Sequence, residues 1–242
     1  MKVLALDSSG LVASVALVED NNLLAEYTVN YKKTHSQTLL PMLDEIAGMI
    51  ELDLSTIDAI AIAAGPGSFT GLRIGSATAK GLGLALDKPL ISVPTVDAMA
   101  YDLYGTDKLV CPIMDARRSQ VYTGLYTFER QGEEYRLTVL KEQMAVSVQE
   151  LVELLDEYDR EVLFLGDGVP VYRKTIDQLM KAPHSYVPAH LNKQRGASVA
   201  ALGAVYYREG RTEAARDHQP DYLRLSQAER ERAEAERKHA SC

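Results

Sequence analysis

The sequence predicts an α/β fold made of two copies of one β-β-β-α-β-α unit. The apolar residues fall into short runs of strand length separated by segments of helical period, and the same order of elements starts again after residue 104. The strand endings VLALD (Val3–Asp7) and CPIMD (Cys111–Asp115) occupy equivalent places in the two copies.

Val3–Asp7 reads as a strand closing on a carboxylate. Val12–Val18 and Leu23–Asn30 are two more, with Glu-Asp-Asn-Asn between them as turn chemistry. Thr38–Ile50 has a helical period. Ile57–Ala64 is continuously apolar, as expected of a strand covered on both faces. Thr70–Leu86 reads as a helix, Pro89–Val93 as a short strand, and Thr95–Tyr104 as a helix with Thr95 as its N-cap. The second copy opens with strands at Leu109–Asp115, Gln120–Phe128 and Tyr135–Val146, the charged stretch Glu129–Glu134 serving as the turn. Ser147–Tyr158 is a helix in which Ser147 and Glu150 have capping-box spacing. Glu161–Gly166 is a strand, Val171–Met180 and Ala197–Glu209 are helices, and Ala214–Gln219 is a loop.

A fold built twice from such halves is the duplicated ribonuclease-H-like fold of the actin, Hsp70 and sugar-kinase (ASKHA) group. The expected division is an N-terminal half at 1–104 that carries partner-binding helices, a C-terminal half at 105–225 and a charged tail at 226–242. The tail has almost no large apolar residue, so disorder is its default. The alternative architecture is one doubly wound sheet with an antiparallel extension.

The 242 residues are 46% hydrophobic and 25% charged, the composition of a soluble globular chain. No run approaches the roughly 20 apolar residues of a membrane span, and MKVLALDSSG reads as a first strand, not a signal peptide. Cys111 and Cys242 are the only cysteines, which suggests neither a disulfide framework nor a CxxC metal site and makes a reducing cytoplasm the expected compartment. The formal net charge of −8 disfavours an independent grip on RNA.

Candidate chemistry is sparse. Asp7 ends the first strand, where sugar kinases hold Mg²⁺, and Ser8, Ser9 and Gly10 could meet an anion; the plainer reading is that Asp7 and Ser8 cap a hairpin turn. The counterpart Asp115-Ala116-Arg117-Arg118 lacks glycine and favours a structural ion pair or a carboxylate contact. Gly65–Gly71 joins a strand to a helix whose N-terminus could hold an anion, but it is neither a Walker loop nor a dinucleotide turn. No histidine pair has metal-binding spacing, no G-x-S-x-G elbow occurs, and Cys111 sits inside an apolar strand.

Two helices carry more signal. Gly71, Gly75, Ala79 and Gly83 form one stripe at four-residue spacing. Interior helical glycines cost about 1 kcal/mol each relative to alanine, a cost that the close approach of another backbone would offset. In the preceding helix Leu39, Leu43, Ile46 and Ile50 form a core stripe, flanked by Met42 and Met49 on one side and by Leu40 and Ala47 on the other. That arc exceeds the ~100° of a one-sided surface helix, so packing in two directions is expected. Either both helices are sandwiched inside their own domain or they form an interface for a second protein.

AGPGSFTGLRIG at Ala64–Gly75 resembles the signature of the TsaB family, also called YeaZ. LALDSS at the start, THSQTLLPMLDEI, PTVDAMA, MDARRSQVY, GDG at Gly166–Gly168 and PDYLR at Pro220–Arg224 agree with it over about residues 1–225. The family is similar to TsaD, the catalytic subunit that transfers threonylcarbamoyl to N6 of the adenosine next to the tRNA anticodon. The resemblance implies that the first two helices pair with a TsaD-like subunit, or form a homodimer when the chain is alone. A TsaE-like ATPase joins the assembly, and tRNA is met only within the complex. The implied partner-binding residues are His35, Leu39, Leu40, Met42, Leu43, Ile46, Arg73, Gly75, Ser76, Ala77, Ala79 and Lys80. TsaD-like proteins carry a metal-binding H-x-x-x-H where this chain has Thr95 and Met99, a poor ligand pair. The late nucleotide loop is replaced by Gly166-Asp167-Gly168, whose carboxylate would repel phosphate. A non-catalytic subunit without cofactor or metal is therefore expected. The rivals are an ATP-dependent small-molecule kinase, with Asp7, Ser8, Gly166 and Gly168 as its weak nucleotide candidates, and a glycopeptidase, for which no nucleophile or metal pair is evident.

Overall fold

The computed structural model describes residues 1–31 and 35–224; the tail expectation at 226–242 lies outside them. In the first sheet β1 (Lys2–Asp7) pairs antiparallel with β2 (Ala13–Glu19), and β2 with β3 (Asn22–Val29). Strands β4 (Ala59–Gly65) and β5 (Leu90–Pro94) extend it in parallel, giving the order β3-β2-β1-β4-β5. The second sheet repeats that order as β8-β7-β6-β9-β10, from β6 (Leu109–Asp115), β7 (Gln120–Gln131), β8 (Glu134–Ser147), β9 (Val162–Leu165) and β10 (His184–Tyr186). Strand senses match as well: β6 and β7 run antiparallel, and β9 and β10 run parallel to β6 and to each other. The structure is thus the duplicated ribonuclease-H-like fold, each copy having one strand and one helix more than a β-β-β-α-β-α unit.

The helices are α1 (Leu39–Met49), α2 (Phe69–Leu86), α3 (Thr95–Tyr101), α4 (Val148–Asp156), α5 (Val169–Leu179) and α6 (Gly196–Arg208). Helices α1 and α2 cover the outer face of the first sheet through Leu39, Met42, Leu43, Ile46 and Ala79. Helices α4 and α5 cover the second sheet through Leu151, Val152, Leu155, Tyr172 and Ile176. The middle layer is reciprocal. Helix α6 ends the second copy yet lies on the first sheet, and α3 ends the first copy yet packs on the second.

Strand β4 shows how the sequence permits this. Ile60 and Ile62 face α1 and α2, whereas Ala59, Ala61 and Ala63 face α6. A Cβ added to Gly203 of α6 would lie 2.8 Å from that of Ala61, so small residues on both elements set the close approach. The division expected at 104/105 thus separates the strand sets, while the packing of α3 and α6 crosses it.

Three local expectations are corrected. Strand β10 was not read because His-Ser-Tyr has no apolar run; it exists through its parallel pairing with β9, with Tyr186 stacked on Phe164 at 5.7 Å. The charged stretch Glu129–Glu134 is mostly strand, because Glu129, Arg130 and Gln131 pair with Arg136, Tyr135 and Glu134 in an exposed hairpin arm, and the turn shrinks to Gly132 and Glu133. Thr95 is not the cap of α3: Pro94 takes that place, and the buried Thr95 hydroxyl has no hydrogen-bond partner. The capping box at Ser147 and Glu150 forms as expected.

Buried carboxylates pin the exchanged helices. Asp97 of α3 accepts from Tyr126 Oη on β7 at 2.7 Å and from Tyr206 Oη on α6 at 3.1 Å. Asp102, at the end of α3, accepts from the Ser198 hydroxyl of α6. Burial pushes the Asp102 carboxyl up to about 7 from 3.8, against the pull of Ser198 and the Arg195 charge; Glu26 and Asp7 push the same way as burial. The folded chain therefore holds this proton more tightly than the unfolded chain. Its stabilising effect is complete below about pH 4 and is lost as pH rises through about 7. Asp102→Asn should flatten that dependence. Between about pH 5 and pH 8 the melting temperature of the wild type should fall by roughly 3–6 °C more than that of the variant, read by circular dichroism. Parallel curves would refute the assignment.

Candidate functional site

Two regions carry the candidate residues: the α1–α2 face and the cleft at the C-terminal ends of β1, β4, β6 and β9. In α1, Leu39, Met42, Leu43 and Ile46 recur at i, i+3, i+4 and i+7, and all are buried in the chain's own core. On the two flanks of that stripe, Leu40 is 52% exposed and Met49 74% exposed.

The small-residue stripe of α2 also turns inward. Gly71, Gly75, Ala79 and Gly83 are buried. A Cβ on Gly75 would lie 2.5 Å from Ser8 Oγ, and the Ser8 hydroxyl donates to the Gly71 carbonyl at 2.8 Å. What approaches this stripe is the chain itself: the β1–β2 turn at Gly71 and Gly75, and Ala215, Leu90 and the Lys88 carbonyl at Gly83. Ser76 is likewise buried.

A different set faces outward: Arg73, Ala77, Gly81 and Leu84 are exposed on α2, with Leu84 at 62%. A Cβ on Gly48 of α1 or on Gly81 would touch nothing within 4 Å. Gly81 and Gly48 were legible as helical glycines without an inward periodic partner, but the inward stripe gave the stronger repeat. Lys80 is half-buried and donates to the His218 carbonyl at 3.0 Å. The His35 ring nitrogen Nε2 lies 2.9 Å from the Gly10 carbonyl oxygen, which fixes His35 on the β1–β2 turn.

The cleft is a cavity of about 540 Å³ lined from both halves, by Ser9, Gly67, Thr70, Asp115, Arg117, Asp167 and residues 221–224 among others. The chain's own groups occupy many of its anchoring positions. Asp7 Oδ1 accepts from the Ser9 amide at 2.8 Å and the Ser9 hydroxyl at 2.7 Å, and burial pushes this carboxyl up to about 6. The plainer reading of Asp7, as the residue that closes a turn, matches these bonds. The Ser9 carbonyl accepts the Ser68 amide at 2.6 Å, and Ser68 Oγ accepts the Gly71 amide, so the start of α2 is already engaged.

The second-half loop is engaged too. The Gly166 amide donates to the Asn192 carbonyl and the Gly168 amide to the Ile113 carbonyl, each at 3.0 Å. Gly166 is required at φ +109°, with the Ile113 carbonyl packed against its α-carbon. Asp167 Oδ1 accepts the Asp115 amide at 3.2 Å, and burial holds its carboxyl above the ordinary range. Asp115 makes no ion pair among the described residues. Its Oδ1 accepts from the Arg117 amide and from Tyr172 Oη, both at 2.8 Å. Arg117, Arg118 and Ser119 all have left-handed backbones, at φ 61°, 56° and 58°, and their side chains are exposed.

Among the described residues, nucleophiles and metal donors are not assembled. Thr95 and Met99 are buried between α3 and the second sheet. Among the described residues no three His, Cys, Asp or Glu side chains converge as metal ligands. Burial pushes the Cys111 thiol up to about 12, far from a reactive thiolate. Ser92, His218 and Glu213 cluster, but Ser92 Oγ and Glu213 Oε1 both meet the same ring nitrogen, Nδ1, and the ring is buried. A triad needs its two partners on opposite ring nitrogens.

A family model described as "TsaD: tRNA N6-adenosine threonylcarbamoyltransferase" matches residues 22–232. The chain is 34% identical over 231 residues to "tRNA threonylcarbamoyladenosine biosynthesis protein TsaB" of Bacillus subtilis, covering 95% of this chain and 96% of that protein. It is 31% identical to the protein of the same name from Escherichia coli, over 93% of this chain and 95% of that one. The solved structure "YeaZ from Pseudomonas aeruginosa" superposes with a TM-score of 0.74 at 28% identity, covering 92% of this chain and 99% of that one.

The two glycine sets of the helices should separate on mutation. Gly75→Val should lower unfolding free energy by roughly 2–3 kcal/mol through overpacking against Ser8. Gly81→Ala should leave it unchanged or raise it by up to about 1 kcal/mol. Urea titration distinguishes them, and equal losses would overturn the inward–outward division.

Proposed function

The chain belongs to the TsaB family, and on that premise we propose that it serves tRNA threonylcarbamoyladenosine biosynthesis as a non-catalytic subunit, binding a TsaD-like catalytic partner over the outward face of α1 and α2. The observation that carries this reading is the exposed set of small and apolar residues Ala77, Gly81 and Leu84 on α2, together with Gly48 on the outer side of α1, which Leu40 and Met49 flank on either edge. Glycine and alanine lower the surface of a helix so that a second helix can lie close, and the flanking Leu and Met supply apolar area worth about 25 cal/mol per Å² removed from water. Leu39, Met42, Leu43, Ile46, Gly75, Ser76 and Ala79 take part indirectly, by fixing the two helices on the first sheet. Arg73 and Lys80 lie at the border of the face, and His35 holds the turn beneath it.

The same surface would serve a homodimer when the chain is alone. A TsaE-like ATPase would join the assembly, tRNA would be met only in the complex, and the cytoplasm is the compartment. No described helix is long and apolar enough to cross a membrane. The kinase reading is not favoured, because the amides of Gly166 and Gly168 and the carboxylate of Asp7 are committed to partners within the chain. The glycopeptidase reading is not favoured either, since Ser92, His218 and Glu213 lack the geometry of a relay.

Ala77→Arg and Gly81→Trp should each weaken pairing with the TsaD-like subunit by about 100-fold, near 3 kcal/mol, with melting temperatures close to wild type. Light scattering after size exclusion, combined with reconstituted tRNA modification, reads both effects. Undiminished co-purification of the folded variants would sink the proposal.

A further inference from the structure

The segment after α6 crosses the molecule, and its two parts are held very differently. Residues 213–218 are bolted to the first half. Glu213 and Leu90 exchange backbone hydrogen bonds of 2.9 Å, the buried His218 ring meets Glu213 Oε1 at 2.8 Å, Lys80 holds the His218 carbonyl, and Ala215 sits in the core under α2. Beyond Pro220 the chain turns across the strand ends, with Asp221 and Tyr222 exposed and Leu223 and Arg224 half-buried. The Asp221 amide donates to the Ala64 carbonyl at 2.8 Å, and Gln143 of β8 donates to the Asp221 carboxylate. Tyr222 stacks on Phe69 with ring centres 4.8 Å apart, while Arg73 lies 4.2 Å over Phe69 and donates to Tyr222 Oη at 3.4 Å. Arg224 Nη1 reaches the second half and donates to the Ala116 carbonyl at 2.9 Å, at the left-handed Arg117–Ser119 turn.

We propose that residues 220–224 are a latch: an arm that swings on the fixed 213–218 anchor, closes the cleft by joining the Gly65–Thr70 turn to the Ala116–Gln120 turn, and opens without unfolding either half. Its grip on the second half consists of the half-buried Arg224–Ala116 bond and the exposed Gln143–Asp221 bond, whereas the anchor buries Ala215 and His218. Segments with few buried apolar contacts and exposed hydrogen bonds open locally at far lower free energy than a core. The cavity of about 540 Å³ is lined by the arm and by both turns, so the position of the arm governs access to it. Arg73 ends the outward stripe of α2 and also touches the arm, so a carboxylate brought to that face would compete with Tyr222 for it.

Amide hydrogen exchange on the full chain tests this. In the wild type the Asp221 amide should exchange at least 10-fold faster than the Leu90 and Glu213 amides. Arg224→Ala and Tyr222→Ala should speed Asp221 by a further 10-fold or so and also release the Ala116 and Gln120 amides, with Leu90 and Glu213 unmoved. Arg73→Gln should speed Asp221 about threefold. If the alanine variants fold poorly, Tyr222→Phe and Arg224→Gln give the same ordering with smaller changes. Exchange of Asp221 at the rate of Glu213 in every protein, or equal acceleration of both, would mean that the segment opens only with the whole fold, and the latch would be wrong.

Discussion

The exchange of α3 and α6 between the two sheets is the constraint on which the rest of this structure depends. Each sheet has one face covered by its own pair of helices, and the remaining faces must share what lies between them. Two helices inserted side by side satisfy both, provided the first sheet offers a shallow surface to α6. The alanines of β4 and Gly203 of α6 supply it. Buried polar groups tie the layer together, Asp97 to Tyr126 and Tyr206 and Asp102 to Ser198, which favours one register of the helices over others. With the middle layer fixed, the C-terminal ends of β1, β4, β6 and β9 face one another across a cleft.

In this fold that cleft is where backbone amides and a carboxylate can meet a phosphate and its metal. Here the same groups bond within the chain. Asp7 closes its own turn, Ser9 takes the Ser68 amide at the start of α2, and Gly166 and Gly168 donate to carbonyls. A hydrogen bond made at folding removes the donor from the set available to a ligand, since breaking it costs about what the ligand would return. At these groups a binding geometry has become an internal joint.

Helix α2 has two small-residue faces, and the physics of each differs. The inward one lets Ser8 bond the Gly71 carbonyl and brings the β1–β2 turn onto the helix. On the outward one a Cβ at Gly81 would meet nothing within 4 Å, and only its Arg73 end reaches Phe69 and Tyr222. Sequence spacing registers both as glycine and alanine at helical intervals, because the cost of an interior glycine is the same whichever neighbour offsets it. The left-handed Arg117–Ser119 turn is a related case. No glycine marks it, and it is held locally by Asp115 accepting the Arg117 amide and, once α4 is in place, by Val148 donating to the Ser119 carbonyl.

The amino-acid sequence alone determined most of the element order, its duplication, the buried stripe of α1, the Ser147–Glu150 cap and the family signature between Ala64 and Gly75. These follow from periodicity and local hydrogen bonding, which act over a few residues. Tertiary structure decided which face of α2 is spent on the chain's own fold, that α6 leaves its own half, that His184–Tyr186 is a strand, and that residues 220–224 span the cleft. Each of those is a contact between segments distant in the chain. Its free energy is set by what lies opposite, and a residue's own identity does not encode that.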